Sequence, residues 1–184
     1  MTRLPYTGYA EMRWKNGQGI TREVCRFPDS EQYDWRISVA TIRDDGAFSR
    51  FSGYLRNISV LEGEGMFLTL DGKRSALIAP FQATDFNGDS NVFCEVVGGP
   101  LLDFNVIYRG DTTRATVRWM RSGEWQHPQG TLLIFNAGHT LDVTVNGERH
   151  TLQHYDSLWL DSPAAIAVNA GSDTLFACVT LTSR

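Results

Sequence analysis

Residues 61–78 read LEGEGMFLTLDGKRSALI, and residues 136–153 read NAGHTLDVTVNGERHTLQ. With Gly63 set on Gly138, Gly72 falls on Gly147, Arg74 on Arg149 and Leu77 on Leu152, every pair 75 residues apart. In both segments apolar and polar residues alternate up to a DG or NG dipeptide and alternate again beyond it. Alternation of period two marks a half-buried strand. Asp-Gly or Asn-Gly between two such runs is a strong hairpin signal, because a two-residue turn matching the twist of the strands needs positive φ at both central positions. The chain thus carries two related β-hairpins, and we expect two related units, residues 1–109 and 110–184.

The remaining chain agrees. TREVCRF (21–27), WRISVATI (35–42) and DTLFACVTL (173–181) also read as short strands, and no long helical periodicity competes with them. Many short strands at close spacing make an all-β sandwich or barrel. A length of 184 residues with 42% hydrophobic content is enough for a sizeable core. The net charge is -4 and basic residues are scattered among acidic ones, which leaves no electrostatic footprint for nucleic acid or an anionic membrane. The opening MTRLPYTGYAEMRW has no apolar signal region and no stretch approaches a bilayer span, so the cytoplasm is expected. Cys25, Cys94 and Cys178 are far apart and flanked by apolar residues, so they read as buried structural thiols rather than a disulfide framework, a CxxC site or a nucleophile.

Gly63-Glu64-Gly65 before the first hairpin, and Leu152-x-x-x-Asp156 after the second turn, resemble the core of a cupin barrel, and two copies in one chain resemble a bicupin. WKNGQGITREVCRF (14–27), DWRISVATI (34–42), GAFSRFSGYLRNISVLEGEG (46–65) and GGPLLDFNVIYR (98–109), in that order, resemble the HutD/Ves family. The resemblance implies two jelly-roll-type cupin barrels and no established catalytic activity. It also implies a connection with histidine utilisation, with a formylated or related glutamate-type metabolite as ligand.

Metal-binding cupins share a G-x5-H-x-H-x3,4-E-x6-G pattern, whose imidazoles and carboxylate suit a divalent transition ion. Counting back from Gly63, the carboxylate position falls on Arg56 and the histidine positions on Arg50 and Ser52. Arginine offers no lone pair to a metal. The same count from Gly138 gives Thr131, His127 and Trp125. His150 and His154 lie in a strand-and-turn segment rather than on one helix face, so neither a metal nor any other cofactor is expected.

Arginines therefore become the feature to explain. Along YLRNISVLEG, period two puts Arg56 on one face with Ile58 and Val60. In WRISVATI, Arg36, Ser38 and Ala40 share a face; in TREVCRF, Thr21 and Glu23 do; in DFNVIY, Asp103 and Asn105 do. A buried guanidinium must be paired, since losing a buried partner costs on the order of 3–5 kcal/mol. Two accounts are open. Glu23 and Asp103 satisfy Arg36 and Arg56 as a structural network, or the carboxylates orient the arginines and a ligand carboxylate completes the pairing in bidentate geometry. The resemblance raises Asn16, Thr21 and Glu23 as ligand contacts. KNGQG (15–19) reads as a glycine-containing turn on the rim and lacks the further residues of a dinucleotide or phosphate loop.

The expected function is metal-independent binding of a small anionic metabolite by Asn16, Thr21, Glu23, Arg36, Ser38, Arg56, Asp103 and Asn105, in a sensing or regulatory role in amino-acid, above all histidine, utilisation. The partners expected are that metabolite and at most a second copy of the chain in a homodimer. Rival readings are an acid–base isomerase or hydrolase using Glu23, Asp103 or Tyr108, and a non-catalytic scaffold that recruits a protein through an exposed strand edge or apolar rim.

Overall fold

The structure is a computed structural model that describes residues 1–14, 17, 19–169 and 174–184. The strands, in chain order, are β1 (Thr2–Leu4), β2 (Ala10–Arg13), β3 (Gly19–Phe27), β4 (Trp35–Ile42), β5 (Gly46–Ala47), β6 (Tyr54–Glu62), β7 (Met66–Leu70), β8 (Lys73–Arg74), β9 (Thr84–Asn87), β10 (Val92–Val96) and β11 (Leu101–Arg109). They continue with β12 (Thr113–Met120), β13 (Ser122–His127), β14 (Thr131–Asn136), β15 (Thr140–Val145), β16 (Glu148–Gln153), β17 (Ser157–Leu160), β18 (Ala164–Asn169) and β19 (Phe176–Ser183). A single 3-10 turn at Tyr6–Gly8 is the one helical element among the described residues, and no helix is long and apolar enough to cross a membrane.

The chain divides into two compact units. One is Ala10–Thr112; the other combines Met1–Tyr9 with Thr113–Arg184. The division departs at its start from the boundaries 1–109 and 110–184. β1 pairs with β17 through Thr2↔Trp159 and Leu4↔Ser157, so the first residues complete a sheet of the second unit. Asp156 secures them: its carboxylate accepts from Arg3 Nη2 at 2.6 Å, from the Tyr6 amide at 2.9 Å and from the Gln153 amide at 3.0 Å.

The first unit stacks a six-stranded sheet, β2-β3-β4-β11-β6-β9, on a four-stranded sheet, β5-β10-β7-β8. Ile42, Ile58, Val60 and Leu101 of the larger sheet and Met66, Leu68, Val92 and Cys94 of the smaller form one apolar cluster. The second unit pairs the sheet β1-β17-β14-β19-β12 with β13-β18-β15-β16 over Leu132, Ile134, Leu141, Val143, Ile166 and Phe176, among others. Among the described residues, no hydrogen-bonded ladder closes the two sheets of either unit into one continuous barrel. The all-β class holds, with each unit a two-sheet sandwich whose inner faces alternate with solvent-facing polar residues.

The repeated hairpins are observed at equivalent places. Asp71-Gly72 has φ of 49° and 84°, and Asn146-Gly147 has 50° and 86°, the left-handed pair a type I′ turn requires. Registers match as well: Leu70↔Lys73 and Thr69↔Arg74 in one, Val145↔Glu148 and Thr144↔Arg149 in the other. The equivalence of Leu77 with Leu152 does not hold. Leu141 pairs with Leu152, whereas Met66 bridges to Ile78, so the first copy has one extra residue after β8. Leu77 is exposed in consequence, and Ile78 takes the buried place.

The cysteines are free; Cys94 and Cys178 are buried and Cys25 is half-buried. Burial pushes all three thiols up, Cys94 to about 12 and Cys178 to about 11, which keeps them protonated and poor nucleophiles.

Candidate functional site

On the inner face of the six-stranded sheet polar positions of β11 sit directly beside apolar ones of β6, Asp103 opposite Val60 and Asn105 opposite Ile58. Thr21, Arg36, Ser38, Asp103, Asn105 and Arg56 all line a cavity of about 590 Å³. That size suits a small-molecule site. Alternation explains the convergence: Asn105 faces Ser38 on β4, and Ile107 faces both Arg36 and Arg56 across its two neighbouring strands. Ile107 thus separates the two arginines across the sheet, and Asn105 stands between it and Asp103, which sits opposite Ala40.

A bulge sets the charge pairing. In β3, Glu23 opposes Ser38 but Cys25, not Val24, opposes Ile37, so Arg26 rather than Cys25 comes to lie opposite Arg36. Glu23 accepts from Arg36 Nε at 2.6 Å and pairs with Arg26 Nε at 3.1 Å. Glu23 is therefore the orienting carboxylate behind Arg36 and does not itself line the cavity. Among the described residues Glu23 is the ion-pair partner of Arg36, which itself lines the cavity.

Arg56 is 7% exposed, and its Nη2 donates to Asn105 Oδ1 at 2.8 Å while Asn105 Nδ2 donates to Asp103 Oδ1 at 2.5 Å. Asp103 thus reaches Arg56 through a neutral amide. Arg56 Nε is buried with no hydrogen-bond partner among the described residues. Three rings surround the guanidinium, Phe48 at 5.3 Å, Phe51 at 5.1 Å and Phe86 at 4.9 Å from their centroids, close enough for cation–π attraction. Burial lowers Arg56 to about 10, opposed by Asp103, so it remains charged at neutrality. Burial pushes Asp103, 2% exposed, up to about 7 against the pull of Arg56, the Ala40 backbone and Asn105.

Met12, Arg13 and Trp14 at the end of β2 form another wall, where the Trp14 indole donates to Thr21 Oγ1 at 2.8 Å. Phe48, Ser49 and Phe51 close the side between β5 and β6. Their loop is clipped to the turn after β9: Phe51 N donates to Gly88 O, and Gly88 N to Tyr54 O, both at 2.8 Å. A Cβ on Gly88 would lie 2.5 Å from the Phe51 carbonyl oxygen, so only glycine fits there.

A HutD family model matches residues 6–177. The chain belongs to the HutD family. It is 40% identical over 157 residues to an uncharacterized 21.2 kDa protein in the hutC 3′ region of Pseudomonas putida, covering 83% of each chain. It superposes with a TM-score of 0.93 on a conserved protein of unknown function from Pseudomonas aeruginosa PAO1, at 34% identity over 99% of this chain and 98% of that one. HutD from Pseudomonas fluorescens SBW25, solved in a formate condition, gives 0.87 at 35% identity, over 100% and 98%. Likeness in fold alone extends to a cupin 2 conserved barrel domain protein from Leptotrichia buccalis, at a TM-score of 0.61 and 11% identity over 94% and 92%.

In this HutD-family chain, the four blocks that carry the family likeness are the ones that build the cavity. Of the residues singled out from sequence, Thr21, Arg36, Ser38, Arg56, Asp103 and Asn105 meet there, and Glu23 stands behind Arg36; Asn16 lies outside the described residues. Tyr108 does not join them, because it alternates to the opposite face of β11 from Asp103, Asn105 and Ile107. Arg50 and Ser52 also fall outside the cavity, and Arg50 donates instead to Asn91 Oδ1. His127 is buried with Nε2 at 3.0 Å from the Gly130 carbonyl oxygen, His150 is on β16 and His154 contacts Gly138 O at 2.8 Å. Among the described residues no three His, Cys, Asp or Glu side chains gather at one point. Sequence reading missed Phe48, Phe51 and Phe86. The F-x-x-F spacing in GAFSRF was a signal, but the loop has no strand periodicity that would aim the rings.

Proposed function

We propose that the first unit binds a small anionic metabolite through its carboxylate, without a metal, and that the protein acts as a sensor or regulator in amino-acid catabolism, histidine utilisation in particular. In this reading the two sandwiches are two cupin modules, the first carrying the site and the second a filled apolar core. The carrying observation is Arg56: a buried cation at a cavity wall which, among the described residues, is hydrogen-bonded to a neutral amide alone and has no acceptor for its Nε–H. A buried charge in that condition costs several kcal/mol, and an entering carboxylate supplies the acceptors. Arg36, held from behind by Glu23, offers a second fork, and Thr21, Ser38 and Ser49 offer hydroxyls. The histidine connection comes from the relatives, one in a hutC 3′ region and one being HutD.

Thermal shift with formate, glutamate and N-formylglutamate, set against the matching amides and amines, tests this. Carboxylates should raise Tm, by the equivalent of about 2.7 kcal/mol at 100 times Kd, while amides and amines should not. Equal responses, or none, overturn the proposal. Asp103 supports a second reading, since a carboxyl near pKa 7 facing a cavity is placed for general acid–base work; proton exchange at the carbon next to the carbonyl of a bound probe, followed by NMR in heavy water, would reveal it.

A further inference from the structure

The charge of the cavity changes when it fills, if the cavity is the anion site proposed above. Asp103 is buried on β11, and its Oδ1 receives Asn105 Nδ2 rather than a cation. The groups that face it are few. From β6 comes Arg56, one residue removed through Asn105; from β4 comes Arg36, already paired with Glu23 of β3; from β10 of the opposite sheet comes the Cys94 thiol, which stays neutral. Tyr33 and Arg36 act on Arg56 in turn. Among the described residues, Asp103 is therefore the carboxylate that offsets Arg56 when no ligand is bound. An anion seated against the Arg56 guanidinium takes over that role and brings a second negative charge into the cavity that Asp103 also lines. Like charges in a buried site do not both stay ionised.

We propose that Asp103 takes up a proton as the anion binds, so that the cavity receives a carboxylate and a proton together and its affinity is set by pH. The proton comes from solvent and comes to rest on the Asp103 carboxyl; no covalent bond to the ligand forms. A protonated Asp103 also becomes a hydrogen-bond donor, which fits a ligand oxygen where the ionised form would repel it. Proton linkage of this kind makes Kd flat below the pKa of the empty site, which burial holds near 7, and makes it rise tenfold per pH unit above.

The test uses the full chain with formate and N-formylglutamate, both ionised over the whole range. Kd is followed by the fluorescence of Trp14 and the other tryptophans from pH 6 to 9, and protons taken up on saturation are counted by pH-stat. Expected are a slope approaching tenfold per unit between pH 7.5 and 8.5, an uptake approaching one proton per chain at pH 8, and a slope near zero in Asp103→Asn. Should Asp103→Asn not fold, the proton count on the unaltered protein decides alone. Binding without proton uptake, or a slope that survives Asp103→Asn, overturns this inference while leaving anion binding in place. Absence of binding by either probe at every pH overturns both.

Discussion

Arg56 and Asp103 are coupled without touching: the Asn105 side chain accepts from Arg56 Nη2 at 2.8 Å through its carbonyl and donates to Asp103 Oδ1 at 2.5 Å through its amide. Asn105 thus fixes one edge of the guanidinium, while Nε is buried without an acceptor among the described residues. Methionine at 56 would keep the bulk among Phe48, Phe51 and Phe86, where its thioether packs well on rings, and would delete the fork. We expect Arg56→Met to stay folded, with stability changed by no more than about 2 kcal/mol. Carboxylate affinity should fall at least tenfold to a hundredfold, the value of one or two charge-assisted hydrogen bonds. Circular dichroism melts and a binding titration check it; an unfolded variant would make Arg56 a structural residue.

Asp103 also ties stability to pH. Its carboxyl is raised in the fold from 3.8 to about 7, so the neutral form is the one the fold favours. That contribution is complete below about pH 4 and is lost as pH rises through 7, by about 4 kcal/mol in all. Asp103→Asn has no such loss. Urea midpoints at pH 5, 6, 7 and 8 should show the variant gaining on the unaltered protein with each step, and parallel profiles would refute the assignment.

Gly88 holds the aromatic wall. An added Cβ would meet the Phe51 and Tyr54 carbonyl oxygens at 2.5 and 2.6 Å, both backbone atoms that cannot step aside alone. Gly88→Ala should cost about 1–3 kcal/mol through forced backbone shifts and move Phe51 away from Arg56. Weakened carboxylate binding together with a lowered Tm is the expected pair of effects. Unchanged binding in a destabilised variant would show that the ring is not needed at the site.

The sequence made the sheets legible because alternation and the two turn dipeptides are local signals. The same alternation placed Thr21, Arg36, Ser38, Asp103, Asn105 and Arg56 on inner faces, and the structure brings these together. Three features were beyond it, each for a physical reason. A bulge leaves no mark in a strand pattern, so the arrival of Arg26 beside Glu23 and the slip from Leu77 to Ile78 were hidden. Loop side chains are aimed by tertiary hydrogen bonds such as those of Gly88, so Phe48 and Phe51 gave no periodicity to read. Pairing between distant segments is invisible to local pattern, so the ladder of β1 with β17, anchored by Asp156, has no counterpart in the sequence signals.

Asp156 gives the last prediction, and the sign of its pH dependence is opposite to that of Asp103. The residue is 4% exposed, and burial alone would raise its carboxyl. Arg3 and the amides of Tyr6 and Gln153 outweigh that and hold it below the usual carboxylate range. The ionised form is thus the one the fold favours, and its contribution is present above the unfolded carboxyl value, near 4, and lost as pH falls through the lower folded one. Asp156→Ala would strand two backbone amides, each costing about 1–3 kcal/mol when buried and unmatched. Arg3 is half-exposed, so removing its charge alone should cost no more than about 1 kcal/mol. We therefore expect the order Asp156→Ala, then Asp156→Asn, then Arg3→Met in falling loss of stability at pH 7. Hydrogen exchange should become faster in Thr2–Leu4 for the alanine variant while the carboxylate site of the first unit is unaffected. If Arg3→Met proves as damaging as Asp156→Ala, the ion pair and not the pair of amide bonds is what holds β1 in its sheet.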